Sequence, residues 1–342
     1  NPINPPIEEL PRIDQYAGGT VDVDVETGQQ SPVQMLQDGG AIFGQPTMPQ
    51  GPMHDDNLAE FIDEIELEKI SSDLMSDYLN DKETRSDWEH GYTQGLDLLG
   101  FKYEDRSQPF QGASGVTHPL LAESVTQFQA QAYKELLPAG GPVKCNIVGA
   151  ENPQVEEQAK RVREFMNYQI TDVMEEYDSD MDQMLFFLAL AGSAFKKIYY
   201  DSNLDRAVAK FIPVEDLVVP YHSTDLETAP RITHVLKQNK NDVRKSQVSG
   251  FYRDVELDVS NKQDSIQEKY DKIDGVTPND NQYDDQCTLL EMHCDLDIPG
   301  FEDVGSNNMP TGVKLPYIVT IDEGSRKVLS IRRNFRQEDP KK

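Results

Sequence analysis

The hydrophobic period of this chain changes once, near Gly192, and that change sets its class. Upstream, apolar residues recur every three or four positions; from Ala194 onward they alternate. The junction is the apolar run Met184-Leu-Phe-Phe-Leu-Ala-Leu-Ala-Gly-Ser-Ala-Phe195. It falls short of the roughly 20 residues a membrane-crossing helix needs, so it reads as a buried helix. Helices followed by strands make an α+β chain.

The helical part is expected over 57–192. Asn57 is a plausible N-cap for a first helix carrying Leu58, Phe61, Ile62, Ile65, Leu74, Met75 and Leu79. A second helix, about 84–98, carries Trp88, Tyr92, Leu96 and Leu99 and ends at Gly100. After the loop Ser107–Val116, Pro119 suits the first turn of a helix running to about Leu137. Leu120, Leu121, Val125, Phe128, Ala132 and Leu136 mark its buried stripe, and Pro138-Ala-Gly-Gly-Pro142 stops it. Val143–Val148 is expected as a short strand. Gln154–Val173 is expected as a helix with Val155, Val162, Phe165, Met166, Tyr168 and Ile170 toward the core, and Asp180–Gly192 as a more apolar one.

The β-rich part is expected over 193–335. Ala194–Tyr200 and Ala207–Pro213 flank Asp201-Ser202-Asn203 as a hairpin. Short strands are expected at Asp216–Pro220 and Ile232–Lys237, then a helix Asn241–Val248 capped by Asn241. A mobile acidic loop fills 254–285. Strands return at Cys287–Asp295, Pro316–Ile321 and Lys327–Arg332, the last two joined by Asp322-Glu-Gly-Ser325. The helices should pack on one mixed or antiparallel sheet assembled from 194–237 and 287–333.

Residues 1–56 differ from the rest. Eight prolines, with Gly, Gln and acids between them, leave too little apolar surface to offset the entropy of ordering. This is an extended arm, ordered where a partner holds it. Within it, Val21-Asp-Val-Asp-Val-Glu26 alternates cleanly and could either add a strand to an open sheet edge or remain a solvated linker.

The 342 residues hold 61 acids and 32 bases, a net charge of −29. Such a surface repels nucleic acid at long range. The densest basic clusters, Lys196–Lys197, Arg244–Lys245 and Arg332–Arg333, are short. Cys145, Cys287 and Cys294 are too few and too scattered for a disulfide framework, which points to a reducing compartment. The Pro-rich acidic start is unlike a signal peptide. A start at Asn1 and an end in Asp-Pro-Lys-Lys fit a processed or partial polypeptide.

Candidate chemistry is thin. Gly112-Ala-Ser-Gly115 lacks the lysine of a phosphate loop, and Ser114 is not at a strand-to-helix elbow. Asp178, Asp180 and Asp182 begin like a calcium loop, but Gln183 and Ala189 stand where glycine and a bidentate glutamate belong. Asp280, Asp284 and Asp285 read as solvated charge. Cys287, His293 and Cys294 lack a fourth zinc ligand, and on a strand Cys294 takes the opposite face. His222-Ser-Thr-Asp225 has the residue types of a triad but as neighbours, which do not converge. His118, before Pro119, suits a helix start. No catalytic, cofactor-binding or metal-binding residue is assigned.

Two blocks carry a family resemblance. The first is Arg85–Pro142, with Trp88, Gly95-Leu-Asp-Leu-Leu-Gly100, Pro109-Phe-Gln-Gly-Ala-Ser114, His118-Pro-Leu-Leu121 and Glu135-Leu-Leu-Pro138; the second is Thr288–Phe335, with Leu290-Glu-Met-His293, Pro316-Tyr-Ile-Val319 and Val328-Leu-Ser-Ile-Arg-Arg-Asn334. In order and span they resemble podovirus-type portal proteins of tailed bacteriophages, over about a third of the chain. The resemblance implies a non-enzymatic, homo-oligomeric ring, usually of twelve copies, at one capsid vertex of the virion, assembled in the host cytoplasm. Its implied partners are the major capsid protein and scaffold, the terminase, tail adaptor or head-completion proteins, and double-stranded DNA in passage; it implies no cofactor. This chain would be the wing portion, with 336–342 leading toward stem and clip. Two rival readings stand beside it: a metal-dependent hydrolase built on the acidic clusters, and an acidic adaptor with a Pro-rich binding arm.

Overall fold

The computed structural model describes residues 56–99, 110, 112, 118–150, 152–201, 204–257, 266, 269–270, 286–305 and 309–334. Residues 1–55 of the arm with Val21–Glu26, Ser114, Gly115, the acids at 280, 284 and 285, and residues 336–342 lie outside them.

The described residues are α+β. Six α-helices, α1 (Glu64–Thr84), α2 (Ser86–Leu99), α3 (Leu120–Leu136), α4 (Pro153–Tyr168), α5 (Tyr177–Ala191) and α6 (Lys240–Val248), accompany seven strands. The expected single sheet is two. β1 (Phe195–Asp201) and β2 (Arg206–Ile212) form a hairpin; β3 (Leu217–Val218), β4 (Arg231–Asn239), β5 (Gln286–Leu296), β6 (Leu315–Asp322) and β7 (Val328–Arg333) form an antiparallel sheet in that order.

The main core lies between α1 and one face of the five-stranded sheet. α1 contributes Leu67, Ile70, Leu74, Met75 and Tyr78; the sheet contributes Leu290, Met292, Cys294, Tyr317, Val319, Ile321 and Ile331. Of the expected stripe, Leu58, Leu74 and Met75 are buried and Ile62 packs against them, whereas Phe61, Ile65 and Leu79 are exposed. Helical spacing fits either set, and the face that wins is the one the sheet can cover. Arg231 fastens the pair, donating from Nε and Nη2 to Asp81 at 2.7 and 3.0 Å and from Nη1 to Asp77 at 2.8 Å. On the other sheet face, Val243 of α6 and Tyr252 cover Cys287, Leu289 and Leu329. Asn239, not Asn241, is the N-cap of α6.

Asn57 caps a single 3-10 turn, Leu58–Glu60, rather than an α-helix. Its buried amide also donates from Nδ2 to the Leu329 carbonyl at 2.9 Å and accepts from the Ile331 amide at 3.0 Å. It thereby stands in for a neighbouring strand at the edge of β7. The Arg85–Leu99 segment is a packing hub. Arg85 donates to the carbonyls of Val214, Glu215 and Leu217. Trp88 stacks on Tyr92 at 5.1 Å and donates to the Ala191 carbonyl at 3.4 Å.

Three further expectations fail. Val143–Val148 forms no strand and pairs with none among the described residues. Pro119 is the N-cap of α3, with φ −80° and ψ 53°, so it precedes the first turn. The 254–285 excursion is not loose throughout: Ile266 is buried against Tyr92 and Leu96, and Tyr270 packs beside them.

Candidate functional site

The acids singled out in the sequence act as structural acceptors. Asp178 accepts from the Tyr133 hydroxyl at 2.6 Å, and Asp182 accepts from Gln129 Nε2 at 2.8 Å; both pin α5 to α3. Asp180 accepts from the Phe211 amide at 2.8 Å, and Glu176 from the Ala209 amide at 3.0 Å. These two carboxylates close the outer edge of β2. Each acid has its own partner, so the calcium-like spacing gathers no ligand set.

The other candidates do not converge either. Cys287 and His293 share a strand face but lie six residues apart, about 20 Å along the strand. Cys294 is on the opposite face, where burial pushes its thiol up to about 12. Burial also raises the Cys287 thiol, so neither is a ready thiolate. Asp225 accepts from the Thr228 amide at 2.8 Å and closes a turn, while His222 is exposed. His118 is exposed, and its carbonyl accepts from the Leu120 amide. Gly112 has φ +90°, which marks a turn. Among the described residues no three His, Cys, Asp or Glu side chains are placed to hold a metal ion.

The structure does assemble one polar cluster that periodicity alone does not reveal. Lys197 of β1 donates to Glu291 of β5, and His293 Nε2 lies 3.2 Å from the same carboxylate oxygen. His234 of β4 stands directly across from Glu291. Burial alone would raise the Glu291 carboxyl, but His293 and Lys197 together pull it down to about 2. Burial, then the Lys197 charge, pushes His234 down to about 4. At neutral pH the carboxylate is ionised and His234 is neutral. Neither group sits near pH 7, where a general acid or base works best. The cluster therefore ties the β1–β2 hairpin to the five-stranded sheet. The one signal in the sequence was that Glu291 and His293 are polar at i and i+2 of β5, so they share a face.

A second buried chain links α2 to the 3-10 turn Val214–Asp216. Tyr92 and Tyr270 share a hydroxyl–hydroxyl bond of 2.6 Å, and Tyr270 donates to Glu215 at 3.1 Å. Burial raises the Glu215 carboxyl.

The larger finding is apolar surface that this chain leaves uncovered. α4 has no buried residue. Val162, Phe165, Met166 and Tyr168, expected in the core, are 54, 45, 42 and 47% exposed. On α3, Val125 is buried against the fold while Phe128 and Leu136 remain exposed. α4 is held at its far end by Asn167, which accepts from the Val143 amide at 2.9 Å and donates to the Val143 carbonyl at 3.3 Å. With aromatic side chains presenting 150–250 Å² each, one side of α4 offers on the order of 300 Å² of apolar surface within two turns. That is comparable to the largest apolar patch of a typical monomer, which is often functional.

No helix among the described residues is long and apolar enough to cross a membrane. No protein-family model matches the chain, and no curated protein matches it.

Proposed function

We propose that this chain serves by self-association, as the wing portion of a tailed-phage portal subunit. In that role copies form a closed ring at one capsid vertex, dock terminase and tail adaptor proteins, and let double-stranded DNA pass. The observation that carries the reading is the uncovered side of α4. Val162, Phe165 and Met166 are arranged for burial, and nothing among the described residues of the same chain buries them. A neighbouring subunit supplies the missing cover. The acidic surface suits the role, because a ring that multiplies a charge of −29 forms few lasting phosphate contacts with DNA in passage.

The test is assembly. Mass photometry and negative-stain imaging of the protein should show a closed ring with an axial hole. Phe165→Asp combined with Met166→Asp should abolish the ring and leave circular dichroism and thermal midpoint near wild type, since both positions are solvent-facing in the isolated subunit. A protein that stays monomeric at every concentration, or a ring indifferent to both substitutions, would refute the proposal.

A further inference from the structure

We infer that the carboxyl of Glu215 is a proton-operated catch. With its proton on, it holds Ile266, Lys269 and Tyr270 against α2; with its proton off, it lets them go. The inference does not depend on the portal reading.

Separate elements meet at this carboxyl. It belongs to the 3-10 turn Val214–Asp216. Tyr270 donates to its Oε1 at 3.1 Å, and the Tyr270 hydroxyl shares a bond of 2.6 Å with the hydroxyl of Tyr92 on α2. A phenol has one proton to give. Tyr270 gives its proton to Glu215, so Tyr92 donates to Tyr270 and the chain ends on the carboxyl. Its surroundings are apolar. Ile266, Tyr92 and Leu96 are buried together, Trp88 stacks on Tyr92 at 5.1 Å, and Phe187 of α5 meets the Tyr270 ring edge-on at 6.2 Å. Lys269 adds an ion pair to Asp97 of α2 at 2.6 Å.

The second oxygen decides the chemistry. Glu215 Oε2 is shut off from solvent and has no hydrogen-bond partner among the described residues. An ionised carboxylate accepts at about four sites, and here a single phenol serves it. The cations beside it are committed elsewhere. Arg85 spends Nε on Glu89 at 2.7 Å, and its other nitrogens on the backbone carbonyls of Val214, Glu215 and Leu217. Lys269 is spent on Asp97. Lys237 of β4 favours the ionised form and Asp216 opposes it, and neither bonds Oε2. Burial is the largest influence and pushes the carboxyl up. The site therefore suits the neutral acid and penalises the anion. Undocking Tyr270 returns the carboxyl to water and relieves that penalty.

Docking is thus linked to one proton. The docked state binds it more readily than the open one. Docking is tightest below the ordinary carboxylate value of about 4.3, and it weakens as pH rises through the raised value. Release uncovers the side of α2 that carries Tyr92 and Leu96, so rising pH bares an aromatic surface that acid keeps covered.

The experiment is hydrogen exchange by mass spectrometry on the full chain, from about pH 5 to 8, following the peptide that holds Ile266–Tyr270. Variants are compared with wild type at the same pH, which cancels the intrinsic pH dependence of exchange. The opening constant of wild type relative to Glu215→Gln should rise about tenfold for each pH unit until it levels off above the raised value, the slope of one proton. Lys269→Ala breaks an ion pair that is charged throughout and should loosen the segment by the same factor at every pH. Trp88, the single tryptophan, reports the same event without any variant: wild-type emission should titrate with a one-proton slope. A wild-type to Glu215→Gln ratio constant across the range, or Trp88 emission indifferent to pH, would overturn the inference.

Discussion

Replacing Asn57 by alanine should cost the fold about 2–4 kcal/mol. The side chain is 5% exposed and makes three bonds: it accepts from Ala59 N at 3.2 Å and from Ile331 N at 3.0 Å, and it donates to the Leu329 carbonyl at 2.9 Å. The Leu329 carbonyl keeps its bond from the Arg253 amide, so its loss is small. Among the described residues the Ile331 amide has no such second partner, and a buried amide left unmade costs about 1–3 kcal/mol. Losing the cap on the 3-10 turn adds about 1 kcal/mol. In urea, with a slope near 3 kcal/mol/M, the midpoint should fall by about 1 M at unchanged slope. Asn57→Asp gives an internal check. It keeps both accepted bonds but sets a second oxygen against the Leu329 carbonyl, where only a protonated carboxyl can donate. The new carboxyl therefore has a raised folded pKa. Its stability deficit against wild type at matched pH should be full above the raised pKa, shrink as pH falls through it, and be gone below the ordinary carboxylate value of about 4. An alanine variant within about 1 kcal/mol of wild type, or an aspartate variant equal to wild type at pH 7, would refute the assignment.

Acid should loosen the junction between the hairpin and the main sheet in two steps. His234 is held neutral with its pKa lowered from 6.5 to about 4, so the unfolded imidazole takes up a proton first and stability declines from pH 6.5 toward 4. Glu291 is lowered from 4.5 to about 2, so its contribution is intact above pH 4.5 and is lost as pH falls toward 2. Discounted for partial exposure, each step is about 1–2 kcal/mol. Thermal midpoints from pH 7 to 3 should show His234→Gln flattening the upper step and Glu291→Gln the lower; profiles parallel to wild type would contradict the geometry. Two glycines separate backbone strain from steric conflict. Gly192→Ala meets only the positive φ of +83°, with open space around a new Cβ, and should cost about 1 kcal/mol. Gly141→Ala adds a Cβ within 2.5 Å of the Asn167 amide, which must leave Val143, and equal thermal losses for the two variants would show that this contact is unimportant.

Local features were legible because they are encoded within a few residues of where they act. The change of period at Gly192, the hairpin around 201–203 and the turn at 322–325 all stand where spacing and turn chemistry put them. What escaped was whatever needed a distant partner. Val143–Val148 has strand-like composition, but a strand exists only where another accepts its ladder. The first helical stripe was right at Leu74 and Met75 and wrong at its flanks, because Leu67, Ile70 and Tyr78 repeat as well as Phe61, Ile65 and Leu79 do, and only the sheet decides between them. Lys197 meets Glu291 across 94 positions and Tyr92 meets Tyr270 across 178, separations at which spacing carries no information. The apolar sides of α3 and α4 show the same limit from the other direction. Period identifies an apolar face, yet says nothing of whether the same chain or another covers it.

The distribution of carboxylates argues that the uncovered surfaces are selected rather than neglected. This chain has acids to spare, and it spends several on closing exposed backbone and joining elements. Glu176 and Asp180 block β2, Asp178 and Asp182 lock α5 to α3, and Asp81 seats Arg231 against α1. One or two charges among Val162, Phe165 and Met166 would have made α4 an ordinary solvated helix. Instead α4 keeps an apolar side, within a protein whose −29 charge would by itself drive copies apart. Long-range repulsion of that kind is screened within about 10 Å at 0.1 M salt, whereas apolar burial acts at contact. On the proposed ring, association through the apolar side of α4 should therefore strengthen as salt rises from low to moderate concentration, the opposite of what an assembly held by exposed ion pairs would do.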